Sequence, residues 1–318
     1  MRIVIIFMFI CCCSCSTKTK KNSGAPDKKI TETSLVILGT VQDGGAPHIG
    51  CKKDCCLPLY NTPNTDLQVV SLGVIDVPNQ KTYLFEATPD ITRQLENLQN
   101  LAPFTSKKTS DGVFLTHAHI GHYSGLQFLG KEALHSTKVP VYAMPKMKDF
   151  LTTNGPWSQL VTTKNIIIKP LAHLVPNTIT SQLTVTPFTV PHRDEYSETV
   201  GYYISGPRKT ALFIPDIDKW STWEIDIKAA VLKVDYAFID ATFYNAAEVN
   251  YRPISEIPHP FIIETMELFK TASKEEKNKI HFIHLNHTNP ALRPTSNTSL
   301  TIENLGFHVA RKGSVFPL

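Results

Sequence analysis

Short apolar runs bounded by turn residues punctuate the chain, and most are too brief and too β-branched to be helices. Leu35-Val36-Ile37-Leu38 reads as a buried strand that runs through Gly39-Thr40 into the glycine-rich stretch Gln42-Asp43-Gly44-Gly45-Ala46-Pro47. Residues 68–77 and 81–85 predict a hairpin about Pro78-Asn79-Gln80, and Asp90 reads as the cap of a helix over 91–98 with Leu95 and Leu98 facing inward. Strands follow at 112–115 and 140–143, with a short helix predicted between them over 128–134. The broken apolar runs from Ile166 to Val190 fit a second set of strands, continued at 199–204, 211–214, 236–239 and 279–283, with a helix at 261–269. Strand runs with helices between them, twice over, suit an α/β fold of two sheets packed face to face with helices outside, an αββα sandwich in one domain over 34–318. A TIM barrel would need a more even alternation.

The N-terminus breaks this pattern. Met1-Arg2 and the apolar Ile3 to Ile10 precede Cys11, Cys12, Cys13, Ser14 and Cys15 and then a polar Lys/Thr/Ser run. This reads as a secretion signal over 1–15 that resembles a bacterial lipoprotein signal, with Cys15 as the acylated residue, although Cys12 stands where leucine is usual. The alternative is a short uncleaved membrane anchor, whose apolar core falls short of the ~20 residues a span needs. Residues 16–33 then form a flexible tether, and the chain is expected to be an exported lipoprotein held at the membrane, facing the periplasm or exterior.

At 318 residues, 42% hydrophobic and 19% charged, the remainder is ordinary globular material, long enough for one large domain. The net charge of +4 comes from dispersed lysines, so nucleic acid is not expected as a partner and a small-molecule substrate is.

The chemistry is concentrated where strands end. Thr116-His117-Ala118-His119-Ile120-Gly121-His122 follows an apolar strand and places imidazoles to converge on a cation, with His122 turned toward a neighbouring one. Such donors suit zinc, iron or manganese rather than calcium or magnesium. His192 ends a later strand as a further ligand should. Asp216 and Asp218 end another, Asp216 fitting a bridging ligand and Asp218 a helix cap before Trp220. Asp240 is a third strand-end acid, and His284 ends the strand over 279–283. Glu86 fits either an orienting carboxylate or a solvated strand end. His281 and His308 alternate with apolar neighbours as sheet residues, and His135 and His173 carry no constellation. Cys51, Cys55 and Cys56 would close a structural zinc site with one remote histidine, or form one disulfide with a spare thiol.

In their order and separation, His117-x-His119-x-Gly121-His122, His192, Asp216 and His284 resemble the metal motifs of the metallo-β-lactamase superfamily. Within it, Leu38-Gly39-Thr40, Gly44-Gly45-Ala46-Pro47, Ala87-Thr88-Pro89-Asp90, 239–244, Pro258-His259-Pro260 and 283–290 resemble the coenzyme PQQ synthesis protein B group and its hydrolase neighbours. The resemblance implies an αββα sandwich with zinc at the sheet edge: His117, His119 and His192 for one ion, His122 and His284 for a second, and Asp216 bridging. From a phosphodiesterase-like branch it implies a structural zinc on Cys51, Cys55, Cys56 and His287, with His48 as a rival fourth ligand. It further implies a hydrolase whose metal-bound hydroxide attacks an ester, lactone or phosphodiester-type small substrate, Asp216 orienting the nucleophile and His259 or Asp240 protonating the leaving group. Gly121 departs from the superfamily, which usually has aspartate there, so the second ion is expected to bind weakly or not at all. Two rivals remain open: an iron-dependent oxygenase, and a lipid-anchored binding protein that has lost catalysis.

Overall fold

The computed structural model describes residues 29–105, 107–249, 253 and 256–318. The signal segment, Cys15 and residues 16–28 of the expected tether lie outside these. Among the described residues, fourteen strands form two seven-stranded sheets. The first sheet holds β1 (Ser34–Gly39), β2 (Ser71–Asp76), β3 (Lys81–Phe85), β4 (Gly112–Phe114), β5 (Val139–Ala143), β6 (Ile166–Pro170) and β14 (Val315–Pro317), in the order β14-β1-β2-β3-β4-β5-β6. The second holds β7 (Asn177–Thr178), β8 (Thr184–Thr189), β9 (Val200–Ser205), β10 (Thr210–Ile214), β11 (Tyr236–Asp240), β12 (Ile280–Ile283) and β13 (His308–Val309), in the order β13-β12-β11-β10-β9-β8-β7.

Central strands such as β1 and β10 are apolar on both faces because each sheet is covered on both. In β1, Leu35 and Ile37 enter the core between the sheets, where they join Phe85, Phe114, Tyr202 and Phe213, while Val36 and Leu38 pack outward with Leu98 of helix Ile91–Leu101. In β10, Ala211 and Phe213 face the same inter-sheet core, and Leu212 and Ile214 pack outward with Ile227, Val231 and Ile262. Two outer layers and one inner layer of apolar side chains give the four-layered αββα sandwich.

Several local expectations are corrected. Of the segment read as a helix over 128–134, only Phe128 and Leu129 are helical, at the end of Ser124–Leu129, and 131–134 form a turn; the other helical residues come earlier, from Ile120–Tyr123 onward. Asp90 makes no side-chain cap, because its Oδ2 accepts from the Val69 amide at 2.8 Å. β6 was expected with the second set of strands but pairs in parallel with β5 in the first sheet. At the start of the described residues, Ile30 is buried against the first sheet's outer layer and its amide donates to Leu101 at 3.1 Å, so packing begins before Ser34.

Candidate metal centre

The chain delivers its polar residues to one end of the sandwich because they follow the C-terminal ends of strands. His117 follows β4, His192 follows β8, Asp216 follows β10, Asp240 closes β11 and His284 follows β12. Two of the strand ends are strained. Glu86 (φ 77°) and His284 (φ 63°) adopt left-handed backbone, which costs non-glycine residues about 1–3 kcal/mol and is kept only where the surroundings demand it. The loop with His117 is tied across the sandwich: the Val200 amide donates to Thr116 at 3.2 Å, and the Ala118 amide to Ser197 Oγ at 2.8 Å.

Every expected metal ligand is brought together. Donor atoms of His117, His119 and His192 lie within 4.8 Å of one another, and so do those of Asp43, His122, Asp216 and His284. Asp216 joins the two sets. Its Oδ2 is 2.9 Å from His122 Nε2, 3.1 Å from His284 Nε2 and 3.9 Å from His117 Nε2, and its Oδ1 is 3.7 Å from His192 Nε2. His119 Nε2 and His192 Nε2 are buried without a hydrogen-bond partner, which is costly for polar atoms unless a cation or substrate answers them. The donor chemistry and these orphaned atoms therefore fit a divalent metal.

Asp43 is the member that sequence reasoning missed. Its Oδ1 lies 2.9 Å from His122 Nε2 and 3.1 Å from His284 Nε2, the same two nitrogens that face Asp216. Gly121 removes the aspartate usual at that position, but Asp43 sets a carboxylate beside Asp216 against the same nitrogens. Two signals pointed to Asp43: it follows a strand like the other ligands, and an otherwise complete cluster short of one acid calls for another. Glu86 is fully buried with Oε1 3.4 Å from His122 Nδ1, so it is an orienting carboxylate rather than a solvated one.

The two sets differ electrostatically. Burial, with His122 alongside, pushes the His117 imidazole well below its usual range, and burial likewise lowers His119. Burial would do the same to His122 and His284, but the carboxylates reverse it: Asp43 and Glu86 hold His122 well above its ordinary value, and Asp216 holds His284 up at about 10. Burial opposes ionisation of Asp216 too, yet His284 and His122 keep its carboxyl well below the usual range.

The family model described as "Beta-lactamase superfamily domain" matches residues 81–282. The chain belongs to the beta-lactamase superfamily. It is 25% identical over 310 residues to the coenzyme PQQ synthesis protein B of Methylorubrum extorquens (strain PA1), covering 89% of this chain and 99% of that protein. The fold matches Zn(2+)-bound PqqB from Methylobacterium extorquens with a TM-score of 0.72 at 23% identity, over 90% of this chain and 100% of that one. A diphosphatase from the PhnP family matches with a TM-score of 0.62 at 19% identity, over 90% of this chain and 97% of that one.

Behind these converging donors stand residues that orient them. His192 Nδ1 is 3.0 Å from Asp218 Oδ1, so Asp218 steadies a ligand and is not the expected cap; the short turn Trp220–Thr222 begins after Lys219 instead. Asp240, expected as a possible proton donor, is corrected to a positioning residue. It is fully buried; its Oδ1 accepts from the Thr242 amide at 2.9 Å and hydroxyl at 2.8 Å, and its Oδ2 takes the Ile217 amide at 3.1 Å and faces His259 Nδ1 at 2.7 Å. Burial would raise its carboxyl, but His259 holds it down at about 2, so it carries no proton near neutral pH. The same contact lifts His259 above its usual range against the effect of burial.

The cysteines form a separate cluster. Donor atoms of Cys51, Cys55, Cys56 and His287 lie within 4.8 Å of one another, with Cys55 Sγ 3.9 Å from each neighbouring sulfur and all three thiols free. His48 is not in that group; its ring stacks on His287 at 4.4 Å and its amide points to Cys56 Sγ at 3.3 Å. Burial and the adjacent sulfurs push the Cys55 thiol up to about 12, so three thiolates here need a cation beside them.

Proposed function

We propose that this chain is a metal-dependent hydrolase of small ester, lactone or phosphodiester-type substrates, with two ions that share Asp216. His117, His119 and His192 would hold one ion, and His122 and His284 a second; zinc suits these donors, and iron or manganese fits them too. Cys51, Cys55, Cys56 and His287 would hold a structural zinc. The observation that carries the reading is the convergence of the unpartnered, buried His119 Nε2 and His192 Nε2 with the Asp216 carboxylate at the end of the sandwich. When bound, ions in such sites acidify water and stabilise developing negative charge.

The chain's own groups supply the remaining chemistry. Asp216 stands between both histidine sets and orients the nucleophile. His259, steadied through Nδ1 by Asp240, which favours its protonated form, gives a proton to the leaving group. Glu86 and Asp218 fix the rings of His122 and His192.

Elemental analysis of the purified chain, followed by a panel of ester, lactone and phosphodiester substrates, tests the proposal. The wild type should hold more metal than the cysteine site accounts for, and His119→Ala should lose both an ion and turnover. Turnover in His119→Ala with metal still bound refutes the assignment. A wild type that carries only thiolate-bound zinc is a binding protein, and turnover that requires dioxygen points to an oxygenase.

A further inference from the structure

We propose that Asp43 is the carboxylate ligand of the second ion, relocated from position 121, and that Gly121 is glycine because Asp43 occupies its place. This rests on the metal-site reading above and goes beyond it by naming a ligand from a different part of the chain.

The geometry is reciprocal. A Cβ built on Gly121 would stand 2.6 Å from the Cα of Asp43, 2.7 Å from its Cγ and 2.8 Å from its Cβ. Real Cβ atoms do not approach so closely, and the Cα cannot swing aside as a side-chain tip can. An aspartate at 121 and Asp43 where it stands are therefore mutually exclusive. The carboxylate expected from 121 is present, but it arrives from the loop after β1.

That loop is held by the same pairing that places His284. Val41 bridges both Val69 and Leu285; the Gln42 amide donates to Leu285 at 2.9 Å, and the Leu285 amide donates to Thr40 at 2.8 Å. Asp43 and His284 thus flank one short backbone junction, which fixes Oδ1 of Asp43 at 3.1 Å from His284 Nε2 as well as 2.9 Å from His122 Nε2. With Asp216 Oδ2 against the same two nitrogens, the second site offers two imidazoles and two carboxylates, a complete four-donor set for a divalent cation. Asp43 enters the His122 set and not the His117 set, so its loss should be felt by one ion alone.

The test uses the full chain loaded with cobalt(II), with total metal counted and binding titrated. Thiolate-to-cobalt absorption reports the cysteine cluster separately. Asp43→Asn keeps the shape of the side chain and removes its charge; it should lose about one ion equivalent or weaken that ion roughly 100-fold, with the thiolate band unchanged. Gly121→Ala alters no donor atom, yet it should weaken the same ion, because its methyl group must displace the backbone of Asp43. Circular dichroism and Tm establish that both variants are folded. Full metal content with unchanged affinity in Asp43→Asn overturns the proposal, as does a wild type with no ion outside the cysteine cluster. Unchanged affinity in Gly121→Ala overturns the exchange of positions. A wild type that binds both ions but turns over no substrate sinks the hydrolase reading and leaves this one standing.

Discussion

His117 and His119 sit where burial disfavours the charged imidazole, whereas His122, whose ring centre is only 4.2 Å from that of His117, is surrounded together with His284 by Asp43, Glu86 and Asp216. One half of the centre thus presents three imidazoles, with burial favouring the neutral ring at His117 and His119. The other presents buried negative charge that must be matched, either by protons retained on His122 and His284 or by a cation that replaces them. The difference teaches that the halves should respond to different perturbations: the first to loss of a nitrogen, the second to loss of a carboxylate. Asp216 stands against nitrogens of both, so it cannot be used to tell them apart.

The largest effect that leaves both halves intact should come from His259, which contacts Asp216 and Asp240 but lies outside the two main donor sets. His259→Gln should lower kcat by about 10²–10³ while metal content stays at the wild-type level, because it removes a proton donor and no principal ligand. Steady-state kinetics beside elemental analysis decide it. If His259→Gln loses an ion in proportion to its activity, His259 is a ligand and the division into two halves needs a third member.

A paired experiment sharpens the contrast between the halves. Glu86 supports His122 through Nδ1, and Asp218 supports His192 through Nδ1. Glu86→Gln and Asp218→Asn should each weaken metal binding about 10–100-fold, but of different ions. In a titration that resolves two steps, each variant should shift one step and leave the other in place. If both variants shift the same step, the two sets are one coupled site and the comparison fails.

Much of this was legible in the sequence, and the reasons differ between the halves. The first half is written in local spacing: His117-x-His119 at the end of a strand, with His192 at the end of another, is a pattern that a sandwich of this kind collects at one edge. The continuous apolar runs of β1 and β10 announced doubly covered sheets. The second half depends on Asp43 meeting Gly121 at a separation of 78 positions, a steric relation between two loops that neither loop displays alone. Asp218 misled for a related reason. An aspartate just before a turn resembles a cap, and only the approach of His192 from 26 positions away shows otherwise. The placement of β6 in the first sheet was equally invisible, since a strand buried on one side reads the same in either sheet.

The smallest expected effect tests the electrostatic premise away from the metal centre. His281 in β12 is a half-buried imidazole with another imidazole, His308, stacked on it at 4.9 Å, and burial followed by His308 lowers it to about 3. It therefore shares with His117 the lowering by burial and by a neighbouring imidazole, away from the metal centre. The sign follows from its folded value lying below the ordinary 6.5: folding favours the neutral ring, so as pH falls below ~6.5 the unfolded chain binds the proton first. Stability from this group is complete above that pH and drains away toward pH ~3. His281→Gln keeps a polar side chain and removes the titration, so its stability should fall less steeply with acid than that of the wild type, by roughly 1 kcal/mol between pH 6.5 and 5. Urea midpoints for both proteins across that interval measure it. Parallel curves would mean that burial beside a second imidazole does not depress a histidine in this fold, and the neutral character assigned to His117 and His119 would lose its physical basis.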